Sequence, residues 1–316
     1  MPKMILSVAE SADRGAWLKI RNKGLGGSDA GAIMGLNPYM SPYQLWLEKT
    51  GQVEPEDLSD NEAVYWGTVN EPNVARRFTE VTGKKLYRRG TLQSDTHPFM
   101  LANVDRMIIG EHAGLECKTA NAFAGKSWKD DEIPASYYCQ CLHYMAVTGA
   151  DMWYIAVLLG GNHFEWKPIP RNDDDVSALV DAETEFWRKV KEREAPDIDG
   201  SESCTEALKN RYATGGGEAI DLPDEAAEIF KNLDELNRTE KALKKGVQLQ
   251  KNKLMAMLGD AEIGTCGDRK VTWKASAGRE SVDLKKLKSE NSELLMDIIS
   301  GGFIKQTKGS RILRIS

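Results

Sequence analysis

Apolar residues recur every three to four positions in some stretches and every second position in others, which predicts a chain of mixed helices and strands. Ser11, Ala12 and Asp13 can cap a helix that runs through Ile20, and the glycines from Gly24 to Gly27 break it. Ser28 and Asp29 open a short helix over residues 30–34, closed by Gly35. Ser41 before Pro42 reads as a cap with proline in the first turn, starting a helix with Leu45 and Trp46 that stops at Gly51. Over residues 61–82, Trp66, Val69, Val74 and Phe78 share an apolar side, and Gly83 follows. Pro72 inside this helix demands a kink or a fresh start, directly after Glu71.

Strand-like runs follow at residues 85–89, 92–94 and 100–109, then at 115–119, with Gly110 and Gly114 flanking the expected turn between the last two. Residues 135–147 return to helical spacing and Gly149 ends them. Residues 153–159 and 163–169 form a predicted hairpin around Gly160, Gly161 and Asn162, and a helix over 173–194 closes the block before Ala195, Pro196 and Asp197. Beyond residue 200 the texture changes. Glycines at 215–217 and Pro223 precede a long amphipathic helix in which Ile229, Leu233, Leu236, Leu243, Val247, Leu254 and Met257 fall at steps of three and four or their sums. That is a coiled-coil-like seam interrupted by Glu240 and Gln250, an association surface rather than a ligand site. The tail alternates again: a strand at 270–274, a helix over 282–299 capped by Ser281, and a strand at 310–315. Lys305, Lys308, Arg311 and Arg314 make that end basic. The expected organisation is an α/β domain over 1–200 and a C-terminal extension over 201–316, comprising the long helix and a small α+β end.

Composition sharpens this picture in three places. A chain of 316 residues, 41% hydrophobic and 28% charged, can bury a large core and contains no run approaching a membrane span, so a cytoplasmic protein with no membrane partner is expected. Five scattered cysteines without paired spacing read as reduced thiols. The net charge of −6 does not exclude a nucleic-acid partner, because binding follows the local charge distribution and a carboxylate site that holds cations is itself acidic.

The chemistry gathers around Leu115, Glu116, Cys117, Lys118 and Thr119. In a strand Glu116 and Lys118 point to one side, which sets a metal ligand beside a fixed positive charge. Asp105 ends the preceding strand-like run. Hydrolysis of a phosphodiester needs an activated water and stabilised charge, which Mg²⁺ held by hard oxygen ligands supplies. Asp105 and Glu116 would be its ligands, the Cys117 backbone carbonyl a third, and Lys118 would orient the water or steady the developing charge. Separately, the turn at Gly24, Gly26 and Gly27 points backbone N–H groups and the Ser28 hydroxyl at one place, which suits an anion.

Several motifs in order carry a resemblance. They are Gly24-Leu-Gly-Gly-Ser-Asp-Ala30, Gly35-Leu-Asn-Pro-Tyr39, Leu45-Trp-Leu-Glu-Lys-Thr-Gly51, Trp66 with Glu71, the Asp105 to Glu116-x-Lys118 core, and Gln140 followed by His143-Tyr-Met-Ala-Val-Thr-Gly149. Over about residues 15 to 195 the sequence resembles the YqaJ-type viral recombinase exonucleases, relatives of lambda exonuclease in the PD-(D/E)xK superfamily. The resemblance implies a restriction-endonuclease-like α/β core with a mixed central sheet flanked by helices. It implies that Glu71 reaches the metal cluster, that Asp105 and Glu116 are the main ligands, that Lys118 is the catalytic lysine, and that Gln140 completes the site. Arg21 and Ser28 stand where the lambda enzyme binds a 5′-phosphate, and Asn103 where it has a serine. The activity implied is Mg²⁺-dependent, with Mn²⁺ as a substitute. It digests one strand of linear double-stranded DNA 5′ to 3′ from phosphorylated ends and leaves a 3′ tail for single-strand annealing recombination. A homotrimer and a single-strand annealing protein are the implied partners. A structure- or site-specific endonuclease is the rival within catalysis, and a non-catalytic DNA-binding scaffold the rival outside it.

Overall fold

The computed structural model describes every residue except 1, 12, 14, 16–19, 59, 123–127, 129–131, 215–216, 218, 277, 279–281 and 304–316. It forms two compact units, Met1–Ala213 and Thr214–Ser316.

The first unit is built on a five-stranded mixed sheet in the order β3 (Leu86–Tyr87), β6 (Arg106–Ile108), β7 (Ala113–Ala120), β8 (Met152–Leu159) and β9 (His163–Pro170). β7 and β8 run parallel, joined by the crossover helix α5 (Ala135–Thr148), and the other neighbours are antiparallel. β8 is apolar on both sides because it is covered on both faces. Helix α4 (Glu62–Thr82) lays Val74, Ala75 and Phe78 on Ile108, Leu115, Tyr154 and Ala156. On the other face, Leu142 and Met145 of α5 pack with Trp153, Ile155 and Val157. A smaller four-stranded sheet, in the order β1 (Lys3–Met4), β4 (Leu92–Gln93), β5 (Met100–Ala102) and β2 (Leu25–Gly26), stands beside it. Helix α1 (Val8–Ser11) lies near the start of the chain. Helices α2 (Gly27–Ile33), α3 (Pro42–Lys49), α6 (Asp173–Glu192) and α7 (Glu202–Arg211) complete the unit, with Leu45, Trp46, Leu47, Phe186, Val190 and Cys204 in a common core.

Local chemistry sets the ends. The Ser41 hydroxyl accepts from Gln44 N–H, the Asn61 side chain accepts from Ala63 and Val64, and Gly83 and Gly149 close α4 and α5 in the left-handed conformation. The expected helix through Ile20 falls largely outside the described residues, and of its described part Gly15, Ile20 and Arg21 are helical.

Four expectations are corrected. The run over 100–109 is two strands in two different sheets, and the break between them carries Asn103 and Asp105. Gly114, expected beside the turn with the strand starting at Leu115, is already the second residue of β7, and a Cβ there would come within 2.3 Å of the Trp153 ring. Helix α4 runs on through Pro72 with no fresh start there. Trp66 and Val69 are exposed at 52% and 43%, because only the later turns of α4 lie over the sheet.

The second unit contains α8 (Glu225–Leu258), the hairpin of β10 (Ile263–Cys266) and β11 (Arg269–Thr272), α9 (Leu284–Glu290) and α10 (Ser292–Ser300). The single helix expected over 282–299 is two: Asp283 caps the first and Asn291 breaks the run to cap the second. The strand expected at 310–315, Lys305, Lys308, Arg311, Arg314 and the Ser281 cap lie outside the described residues.

Candidate active site

Strand alternation on β7 does what its residues require: Leu115 faces the apolar layer under α4, while Glu116 and Lys118 share the side facing α5. The Lys118 ammonium lies 2.6 Å from Glu116 Oε1, 2.9 Å from Gln140 Oε1 and 4.7 Å from the centre of the Tyr137 ring. The Gln140 amide donates to Glu116 Oε1 at 2.8 Å and to the Tyr144 hydroxyl at 2.9 Å. Burial alone would push the Lys118 amine down, but Glu116 and then Asp105 outweigh it and hold it up, so it stays charged.

Asp105 sits at the entrance to β6 and accepts Cys117 N–H at 2.7 Å through Oδ2. Its carboxyl is held well above the usual range by burial first, then by the charges of Glu116 and Glu71. The Glu116 carboxyl is also raised, by burial, against the opposing pull of Lys118. Glu71, on α4, takes Arg106 Nη1 at 2.6 Å on its Oε1, and Arg88 stands 3.7 Å away. Among the described residues, no three His, Cys, Asp or Glu side chains are gathered closely enough to hold a metal ion by themselves. Two observations nevertheless fit a divalent cation. Glu116 Oε2 is buried without a hydrogen-bond partner, and burial together with close negative neighbours disfavours the ionised form of Asp105, a cost that a cation would remove. Both groups offer hard oxygens.

The residues expected at the anion site come together in a second feature. Arg21, Gly26, Gly27, Ser28, Asn103, Gln140 and Tyr144 line one cavity of about 140 Å³. Arg21 donates to the Ser28 hydroxyl at 3.1 Å. Thr91 donates to Asn103 Oδ1 at 2.5 Å, which leaves the amide NH₂ as the end that can donate into the cavity. Gly27 is required here, because a Cβ would meet the Tyr144 ring at 2.6 Å. Gln140 belongs to both features, so this cavity and the Glu116–Lys118 pair share a wall.

Sequence reasoning missed three contributors. Tyr144 enters the sequence reading only as part of the motif after Gln140, although its hydroxyl receives Gln140 and it lines the cavity. Asp29 and Lys49 form a buried ion pair at 2.8 Å. Asp29 also receives Gly26 N–H and reaches Arg21 at 3.4 Å, while Lys49 donates to the Arg21 and Gly24 carbonyls. Burial would raise the Asp29 carboxyl, but Lys49 and Arg21 hold it down at about 2. The only local signal was Asp29 three residues after Gly26, the spacing of half a capping box.

Residues 16–151 match the YqaJ-like viral recombinase domain. YqaJ of Bacillus subtilis (strain 168) is 42% identical over 291 residues, spanning 90% of this chain and 91% of its own. The chain belongs to the YqaJ-like viral recombinase family. Among solved structures, an alkaline exonuclease (LHK-Exo) from Laribacter hongkongensis superposes with a TM-score of 0.51 at 18% identity, covering 57% of this YqaJ-family chain and 93% of the exonuclease. Its complex with dAMP superposes with the same TM-score at 20% identity, over 63% and 98% of the two chains. The fold of this YqaJ-family protein is therefore that of a restriction-endonuclease-like exonuclease, with mixed sheets flanked by helices. Family, fold and site together support a nuclease of the YqaJ and lambda-exonuclease kind. No described helix is long and apolar enough to cross a membrane.

Proposed function

We propose that this protein is a Mg²⁺-dependent exonuclease that enters linear duplex DNA at a 5′-phosphorylated end and digests that strand 5′ to 3′, leaving a 3′ tail for annealing recombination. One observation carries the reading: the cavity of Arg21, Ser28 and Asn103 meets the Glu116–Lys118 pair at Gln140. A terminal phosphate seated against Arg21 would lie next to the group that hydrolyses the bond behind it. Four groups suit that phosphate: the Arg21 guanidinium, the Ser28 hydroxyl freed to donate by accepting Arg21, the Asn103 amide and the Tyr144 hydroxyl. Burial holds the Tyr144 phenol well above its usual range, so it remains a donor.

Asp105 and Glu116 would hold the cation with the Cys117 carbonyl, and Glu71 would join them by leaving Arg106. When bound, Mg²⁺, or Mn²⁺ in its place, supplies Lewis-acid polarisation of the phosphoryl oxygen and a lowered pKa for its water. Lys118 contributes a charge fixed by Glu116, Gln140 and the Tyr137 ring, and it places that charge where the phosphorane develops. Gln140 positions Lys118 and Glu116 relative to the cavity. A homotrimer that keeps the enzyme on its track and a single-strand annealing protein that receives the tail complete the proposal, and both rest on the family.

The test compares a 5′-labelled linear duplex with a covalently closed circle in Mg²⁺. Mononucleotide release from the linear substrate and an intact circle are expected. Cutting of the closed circle would favour a structure- or site-specific endonuclease, and absence of cutting on both would favour a binding scaffold.

A further inference from the structure

Helix α8 has 34 residues, and none of them is buried. At about 1.5 Å per residue it is roughly 50 Å long, and a helix of this kind draws little stability from itself without a packed face. Seven of its apolar residues fall on a seven-residue repeat, while Phe230, Leu249, Met255 and Leu258 lie off it. One core position is filled by Leu233, Glu240, Val247 and Leu254, and the other by Ile229, Leu236, Leu243, Gln250 and Met257. A repeat of seven suits left-handed coiled-coil packing against another helix. Leu236, Leu243, Val247 and Met257 are exposed at 66%, 65%, 55% and 81%.

The two polar interruptions decide what can cover this seam. A parallel, in-register second copy would bury Glu240 against Glu240, setting like charges together in the core. An antiparallel copy pairs unlike core positions, and its two-fold axis can fall in more than one place. With the axis between Glu240 and Leu243, Glu240 meets Leu243 and Gln250 meets Leu233, which leaves both polar groups against hydrocarbon. Moving the axis to between Leu243 and Val247 pairs Leu243 with Val247, Leu236 with Leu254 and Leu233 with Met257. In that register alone, Glu240 of each copy faces Gln250 of the other, and the carboxylate can accept the amide NH₂. Glu240 already holds Lys244 of its own helix at 2.6 Å, so its charge is met on both sides.

Gly246 supplies an independent observation. Glycine is a poor interior residue for an exposed helix, and among the described residues nothing beyond its own stretch of helix lies within 4 Å of where its Cβ would stand. In the register that pairs Glu240 with Gln250, Gly246 flanks the two-fold axis and meets Gly246 of the second copy, where a missing Cβ lets the backbones approach. We infer that α8 is a self-association element: two copies of this chain pair through antiparallel α8 helices centred between Leu243 and Val247. This contact belongs to the second unit and is independent of the proposed trimer and of the nuclease reading.

The test uses the full chain carrying Cys266→Ser to remove the exposed thiol in β10, with that background alone as the baseline. Leu236→Cys and Leu254→Cys proteins are prepared separately, mixed and oxidised. A disulfide-linked dimer from the mixture, exceeding that from either protein alone, is expected. Self-linking of Leu236→Cys alone would overturn the antiparallel register. No link above baseline in any arm would overturn the pairing, and would point to the seam being covered by the chain itself or by another protein. As a second readout, Leu236→Glu with Leu243→Glu should halve the solution mass of the wild-type assembly. An unchanged mass would contradict the proposal.

Discussion

Lys118 shows how much of the site depends on single side chains. Its ammonium is shared between Glu116 and Gln140 and capped by an aromatic face, so no neighbour can replace it. Lys118→Ala is expected to lower Mg²⁺-dependent nucleotide release by about 100-fold or more, the scale seen when one charge-stabilising or proton-handling group is lost. Wild-type rates in this variant, measured on a protein with an unchanged circular dichroism spectrum, would remove Lys118 from the chemistry. Asp29 makes a different point, because its work is structural. Its carboxyl is held at about 2 by Lys49 and Arg21, below the ordinary value of 3.8, so its stabilising contribution is complete above that value and fades as pH falls toward about 2. Asp29→Asn leaves Lys49 buried without its partner and is expected to cost about 3–5 kcal/mol near neutral pH. The gap between wild type and variant in urea unfolding should narrow as pH drops below about 4, where an unfolded aspartate takes up its proton. A gap that stays constant across that window would contradict the assignment. Asp29 pairs with Lys49 across two helices at no periodic spacing, and the site role of Tyr144 depends on a hydroxyl that its helical position conceals. Neither could be read from the sequence, whereas the likeness of Glu116 and Lys118 to a built pair followed directly from strand alternation.

At the scale of elements, the legible features were those set by a few neighbouring atoms. Ser41, Asn61, Gly83 and Gly149 cap their helices by local hydrogen bonds or backbone conformation, and their types announce it. What depended on distant partners was not legible. Periodicity says that Trp66, Val69, Val74 and Phe78 share a side, but not how far the sheet beneath α4 extends. The run over 100–109 is continuously strand-like, yet β5 and β6 join different sheets, and the crossing between them delivers Asn103 to the cavity with Arg21 and Ser28 and Asp105 to the Glu116 side. Gly114 reads as the flank of a turn because glycine commonly borders one. In place it is a gap in β7 filled by Trp153. Gly114→Ala forces that ring to move within the core and should destabilise the first unit by about 1–3 kcal/mol, read as a lower urea midpoint. A midpoint equal to wild type would show that the Trp153 packing is loose.

At the scale of the whole molecule, the first unit brings two sites together from segments far apart in sequence. Arg21 and Ser28 come from the first helical segments, Asn103 and Asp105 from the passage between sheets, Glu116 and Lys118 from β7, and Gln140 and Tyr144 from the crossover helix. The parallel pairing of β7 with β8 requires that crossover, so the topology that builds the sheet also lays Gln140 against both sites. Family membership extends over most of the chain, and the long seam of the second unit follows its own seven-residue logic. The proposed function stands on the joint between the cavity and the Glu116–Lys118 pair, and one measurement addresses that joint most directly. Nucleotide release from linear duplex in Mg²⁺ is timed with and without a 5′-phosphate, for wild type and for Arg21→Ala. Removing the phosphate should slow the wild type markedly and Arg21→Ala far less, because the charge-assisted contact that reads the phosphate is already lost in the variant. Equal dependence on the phosphate in both proteins, or none in either, would contradict the account.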